Sequence, residues 1–144
     1  MHLENLYLAN FKNYNEANID FSKYVNALVG NNGSGKTNLL DAVHFLSMTK
    51  SAFNSMDSQS ILHDQSYYSI IGRFSQLGKT IAVSNTLTSG KRKKILVDKD
   101  PINKAADLIG RFPSVLIAPS DHELISAGGE IRRKFIDSII SQFD

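Results

Sequence analysis

At 144 residues the chain is long enough for one domain with a real core and cramped for two. Its 42% hydrophobic and 21% charged residues exclude a disordered or fibrous class, and the absence of cysteine excludes a disulfide framework and thiolate metal sites. A formal net charge of +2 is too small to argue for a nucleic-acid partner by itself, so that argument must come from local clustering. The first residues, His2-Leu3-Glu4-Asn5-Leu6-Tyr7-Leu8, lack the basic and unbroken apolar regions of a signal peptide, and no apolar run approaches the ~20 residues of a membrane span. The expected location is the cytoplasm, with no membrane partner.

In chain order, residues 3–11 alternate, with Leu6 and Leu8 on one side and Tyr7 and Ala9 on the other, and predict a strand. Asn13-Tyr14-Asn15 reads as a turn and residues 17–21 as the returning strand, with Ile19 and Phe21 on one face. Tyr24-Val25-Asn26-Ala27-Leu28-Val29 reads as a short buried strand. It runs into Gly30-Asn31-Asn32-Gly33-Ser34-Gly35-Lys36-Thr37, which fits the pattern of Gly, four residues, then Gly-Lys-Ser/Thr in every fixed position.

The chemistry of a nucleoside triphosphate explains those residue types. Its crowded anionic oxygens require several backbone N–H groups turned inward at once, which Gly30, Gly33 and Gly35 allow. Lys36 is expected against the β and γ phosphates and Thr37 toward Mg²⁺, with the N-terminus of the following helix adding its dipole. That helix is predicted over residues 38–46, where apolar residues recur at three- and four-residue steps. ATP or GTP binding follows as the expectation. The alternative is a Gly/Asn-rich surface turn with no ligand.

The later chain reads as a polar, Ser-rich loop over 49–60, then alternating strands over 67–74 and 80–87 joined by the turn Ser75-Gln76-Leu77-Gly78-Lys79. A basic turn, Gly90-Lys91-Arg92-Lys93-Lys94, leads to a short strand, Ile95-Leu96-Val97, completing an antiparallel sheet beside the nucleotide core. Asn103 is expected to cap a helix ending at Gly110. Val115-Leu116-Ile117-Ala118 reads as a buried strand. In the final helix Ile131, Phe135, Ile139 and Phe143 stand four apart, a stripe expected to be buried against the core or to mediate self-association.

Taken together, Leu8-Ala9-Asn10-Phe11-Lys12-Asn13-Tyr14, the loop from Gly30 to Thr37 and Asn38-Leu39-Leu40-Asp41-Ala42-Val43 resemble the start of the RecF proteins, in the SMC-like branch of the ABC-type ATPases. The stretch Asp107-Leu108-Ile109-Gly110, then Val115-Leu116-Ile117-Ala118-Pro119-Ser120-Asp121, then Arg132-Arg133-Lys134-Phe135-Ile136-Asp137 is similar to a pattern of RecF in particular. The resemblance implies an α/β fold: the P-loop NTPase head of the ABC/SMC type with an adjoining antiparallel β subdomain, of which residues 1–144 are the N-terminal part. For the full protein it implies a DNA repair and recombination function, with ATP and Mg²⁺ as cofactors and ATP-dependent homodimerisation on DNA. It also implies binding at single-stranded, gapped or junction DNA and cooperation with recombination mediator proteins in recombinase loading, replication restart and the SOS response.

Further residues have a functional and an ordinary reading. Lys12 lies in the segment that in SMC-like ATPases approaches the nucleotide, or is a surface lysine; Tyr14 is a ring near the adenine, or not. Lys91-Arg92-Lys93-Lys94 suits a phosphate backbone or a solvated turn. Arg132-Arg133-Lys134 opposes the positive end of its helix dipole, so a phosphate, Glu130 or Asp137 is expected to compensate. The four histidines show no metal-ligand spacing. Asp98 and Asp121 are weak candidates for the acid that hydrolysis needs, and Ser126-Ala127-Gly128-Gly129 only echoes the signature of ABC-type ATPases. Nucleotide binding without turnover is therefore expected. The rival readings are an ABC-transporter nucleotide-binding subunit, a small-molecule kinase and an interaction module in which the loop serves folding alone.

Overall fold

The computed structural model describes residues 1–122, 124 and 128–143. Six strands form one antiparallel sheet in the order β2-β1-β3-β4-β5-β6. These are β1 (His2–Phe11), β2 (Tyr14–Asp20), β3 (Tyr67–Gln76), β4 (Lys79–Thr88), β5 (Lys94–Val97) and β6 (Asp100–Pro101). Alternation decides which face is covered: Leu6, Leu8, Tyr68, Ile70, Phe74, Val83, Leu87, Ile95 and Val97 are buried on one side. The predicted turns are present but tighter than expected. Leu77 and Gly78 close the β3–β4 hairpin with φ of 51° and 77°, the left-handed pair that a two-residue hairpin loop needs. Lys12 and Asn13, rather than residues 13–15, join β1 to β2, because Tyr14 already pairs with Phe11.

Helix α1 (Lys36–Met48) lies across the covered face. Leu39, Ala42, Phe45 and Leu46 point into the core, and Gly72 of β3 makes room for them, since a Cβ there would stand 2.3 Å from Leu46 Cδ1. Phe11, Phe45 and Tyr68 meet edge to face at the centre. The Tyr68 hydroxyl donates to Asn85 Oδ1 at 3.1 Å, and burial pushes its pKa up. The end of α1 is stopped by Thr49 in the left-handed conformation, and its carbonyl accepts a bond from Lys93, a cation placed where the helix dipole is negative.

Three expectations are corrected. Residues 24–29 and 115–118 run as extended coil, not as buried strands: Tyr24 is 85% and Val29 90% exposed, Val115 66% and Ile117 78%. A strand exists only where a neighbour completes its ladder, and among the described residues no strand pairs with either segment. The helix expected from Asn103 is a single 3₁₀ turn, Ala105–Asp107. Ala105 and Ala106 lie at the surface, and only Leu108 there is buried, too little apolar contact to stabilise a longer helix. In the last helix, α2 (Gly129–Ile140), Phe135 and Ile139 are half-buried whereas Ile131, Ile136, Ile140 and Phe143 are exposed. The stripe is broad, and only its edge meets the rest of the chain.

Candidate functional site

The loop from Gly30 to Thr37 runs from the extended segment into the N-terminus of α1. Gly33 and Gly35 have φ of 83° and 101°, the left-handed region in which successive N–H groups form an anion-binding concavity. Gly35 is the N-cap of α1, without a side-chain capping bond, and the first turn holds no acid. The helix N–H groups and the positive dipole end therefore remain for a ligand anion. Asn32, Gly33, Gly35, Lys36, Thr37 and Asn38 line a depression of about 230 Å³. The Lys36 ammonium donates to the carbonyls of Gly30 at 2.8 Å and Asn31 at 2.7 Å, bridging across the loop.

The β1–β2 turn abuts this loop. Tyr14 donates its hydroxyl to the Gly35 carbonyl at 3.1 Å, and Asn38 Nδ2 donates to Asn13 Oδ1 at 2.8 Å. A Cβ on Gly35 would stand 2.6 Å from Asn13 Nδ2 at a φ of 101°, so a side chain there would displace Asn13 and strain the backbone. Thus Gly30, Asn31, Asn32, Gly33, Ser34, Gly35, Lys36 and Thr37 form one continuous loop, with Tyr14 anchored at its helix end. Lys12 is placed differently. Its ammonium lies 2.6 Å from Asp41 of α1, with side-chain exposures of 10% and 0%.

Sequence reasoning missed Asn13, Asn38 and Asp41. Asp41 had a signal: it shares a helix face with Phe45 and Met48, at four- and three-residue steps, and all three are buried. An acid on an apolar face asks for a partner.

The other charged constellations divide. Lys93 turns inward to Asp57, 2.5 Å away, and to Thr49, while Lys91, Arg92 and Lys94 stay exposed. Glu130 compensates Lys134 at 2.8 Å, and Arg132 donates to the Leu124 carbonyl at 3.2 Å. Asp98 accepts the Ala82 N–H and Asp121 the Ala118 N–H, both at 2.8 Å. Of the signature-like run, Ser126 and Ala127 lie outside the described residues. Among the described residues no cluster of His, Asp and Glu suits a metal, and no helix is long and apolar enough to cross a membrane.

A second cavity of about 510 Å³ lies between the C-terminal half of α1 and α2, lined by His44, Ser114, Asp121 and Phe135 among others. His44 Nδ1 has no partner among the described residues. Burial pushes the His44 pKa below its ordinary 6.5, against the raising effect of Asp41 and with a smaller lowering effect from Lys50. The unfolded chain therefore takes up this proton first as pH falls. Stability from neutral His44 is complete above pH 6.5 and is lost as pH drops through the lowered folded value. The decline of unfolding free energy from pH 6.5 down to the lowered folded value, followed by urea titration, is expected to be shallower in His44→Gln; an unchanged slope would remove His44 as its source.

Comparison with known proteins agrees with this arrangement. The chain belongs to the RecF/RecN/SMC N-terminal domain family, whose model matches residues 2–130. It is 42% identical over its whole length to DNA replication and repair protein RecF of Cytophaga hutchinsonii, and equally to that of Flavobacterium johnsoniae. It spans 38% and 40% of those proteins' lengths. The solved structure of the recombination mediator protein RecF-ATP of the RecFOR pathway superposes with a TM-score of 0.91 at 30% identity, over 99% of this chain and 40% of that one. The SMC head domain from Thermotoga maritima shares the fold, with a TM-score of 0.68 at 24% identity over 92% of this chain and 54% of that one. The six-stranded sheet, α1 and α2 of the described residues are thus those of a RecF/SMC ATPase head, of which this chain carries a part.

Proposed function

We propose that the loop from Gly30 to Thr37 binds the phosphates of ATP, with Thr37 directed to Mg²⁺, and that the chain serves as the nucleotide-holding part of a RecF-type DNA repair protein. One observation carries the reading: left-handed glycines at 33 and 35 open onto an uncapped helix N-terminus beside a lysine that spans the loop. Lys36 now bonds neutral carbonyls. Anionic phosphate oxygens make stronger, charge-assisted bonds, so a triphosphate draws the ammonium away from Gly30 and Asn31.

The similarity to RecF supports extending this reading to the whole protein: ATP-dependent dimerisation on single-stranded, gapped or junction DNA, with mediator proteins as partners, in the cytoplasm. Turnover by this chain is not part of the reading, since Asp98 and Asp121 already serve backbone N–H groups. ATP with Mg²⁺ at 100 times its Kd is expected to stabilise the chain by about 2.7 kcal/mol, read as a rise in Tm without phosphate release. A Tm indifferent to ATP would favour the interaction-module reading, and steady phosphate release would show an acid that has been overlooked.

A further inference from the structure

We infer that the buried Lys12–Asp41 ion pair is a positioning device for the phosphate loop, with Lys12 acting through Asp41 and not as a ligand of the nucleotide. The inference rests on the nucleotide-binding reading and concerns how the same site is held in shape.

Asp41 joins three segments. Its Oδ2 meets the Lys12 ammonium at 2.6 Å and accepts the Ser51 hydroxyl at 2.7 Å; its Oδ1 accepts the Ala52 N–H at 2.7 Å. Ser51 in turn accepts the N–H groups of Phe53 and Asn54. One carboxylate on α1 thus fixes both the β1–β2 turn and the loop that follows the helix. Both carboxylate oxygens are engaged, and the pair is closed from water.

The turn it fixes is the one that touches the nucleotide loop. Lys12 has φ of 52°, an unfavourable backbone for a residue with a side chain. Its backbone N–H is also tied to the Ser60 carbonyl at 2.8 Å. The next two residues are Asn13 and Tyr14, which contact Asn38 and the Gly35 carbonyl. Lys12 is therefore held in its strained conformation by Asp41 on one side and Ser60 on the other, and the turn delivers Asn13 and Tyr14 against the Gly35 end of the loop. Position is transmitted over a short, contiguous chain of contacts.

The two roles for Lys12 predict opposite signs. If Lys12 positions the loop through Asp41, Asp41→Asn weakens ATP binding. If Lys12 is a phosphate ligand that Asp41 sequesters, Asp41→Asn frees it and tightens binding. The Kd for ATP with Mg²⁺ is measured for wild type, Asp41→Asn, Lys12→Met, the double variant and Lys12→Arg. Each is held at a temperature where circular dichroism shows the native state. We expect each neutralising variant to weaken binding by about tenfold, and the double variant by no more than about tenfold in total rather than a hundredfold, because the two residues act as one unit. Lys12→Arg, which keeps the ion pair, restores binding to within about threefold of wild type. Tighter binding by Asp41→Asn overturns the inference, as does a lowered Tm with an unchanged Kd, which would make the pair purely structural.

If wild type binds no ATP, the nucleotide reading fails and the positioning claim is judged separately. Faster hydrogen exchange at the Leu39 amide, which donates to the Gly35 carbonyl at 2.9 Å, together with shifted Gly33 and Gly35 amide resonances in Asp41→Asn, supports it. Unchanged exchange and resonances overturn it.

Discussion

Phe45→Ala is expected to destabilise the chain by about 3–5 kcal/mol, the range for emptying a buried aromatic site. Phe45 is fully buried and meets Phe11 at 5.5 Å and Tyr68 at 5.7 Å between ring centroids, both edge to face. Those rings belong to α1, β1 and β3, so one side chain joins the helix to two adjacent strands. Each aromatic contact adds roughly 0.5–1.5 kcal/mol beyond area burial. The surroundings cannot close the gap easily, because Phe11 and Tyr68 also touch each other, at 5.7 Å. Lys93 packs its ammonium 5.9 Å from the Phe45 ring, so truncation also weakens the contact between the basic turn and the end of α1. For a chain of this size the loss corresponds to a drop in Tm of ~10 °C or more. Urea unfolding of Phe45→Ala and Phe45→Leu checks it. Leucine is expected to cost about half as much, and a cost below ~1 kcal/mol for alanine would contradict the packing described.

Lys12→Met is the second large effect. It leaves the Asp41 carboxylate buried with two hydrogen bonds but no counter-charge, and breaking one side of a buried pair costs about 3–5 kcal/mol. Exposed pairs such as Lys134–Glu130 contribute at most ~0.5 kcal/mol. Burial, not charge, makes the difference. Adding Asp41→Asn to Lys12→Met removes the stranded charge while the amide oxygen can still accept the Ala52 N–H. The double variant is therefore expected to be at least ~1 kcal/mol more stable than Lys12→Met alone. A double variant less stable than that single one would show that Asp41 is not stabilised chiefly by Lys12.

What could be read from the residues follows from which contacts are local. The strands β1, β3 and β4 were legible because one face is buried and the other is not, and period-two alternation reports that directly. Helix α1 and the loop before it were legible because glycine, lysine and apolar spacing lie within nineteen consecutive positions, residues 30–48. The segments 24–29 and 115–118 were misread because an apolar run records a need for cover and not the presence of a partner strand. Local sequence places Lys93 as one member of a basic turn. Its inward course depends on Asp57, 36 positions earlier, which no local pattern reveals. The same holds for Lys12 and Asp41, which face each other only after α1 has folded onto the sheet.

The central claim is that the loop holds nucleotide, and equilibrium titration of the chain with ATP and Mg²⁺, wild type against Lys36→Ala, tests it most directly. Removing a charged donor to phosphate is worth about 1.5–3 kcal/mol per bond, and the proposed site has Lys36 reach two phosphates. The account predicts saturable binding by wild type and a loss of about a hundredfold or more in Lys36→Ala with the fold intact by circular dichroism. Equal affinity in the two proteins, or no binding by a folded wild type, would contradict it.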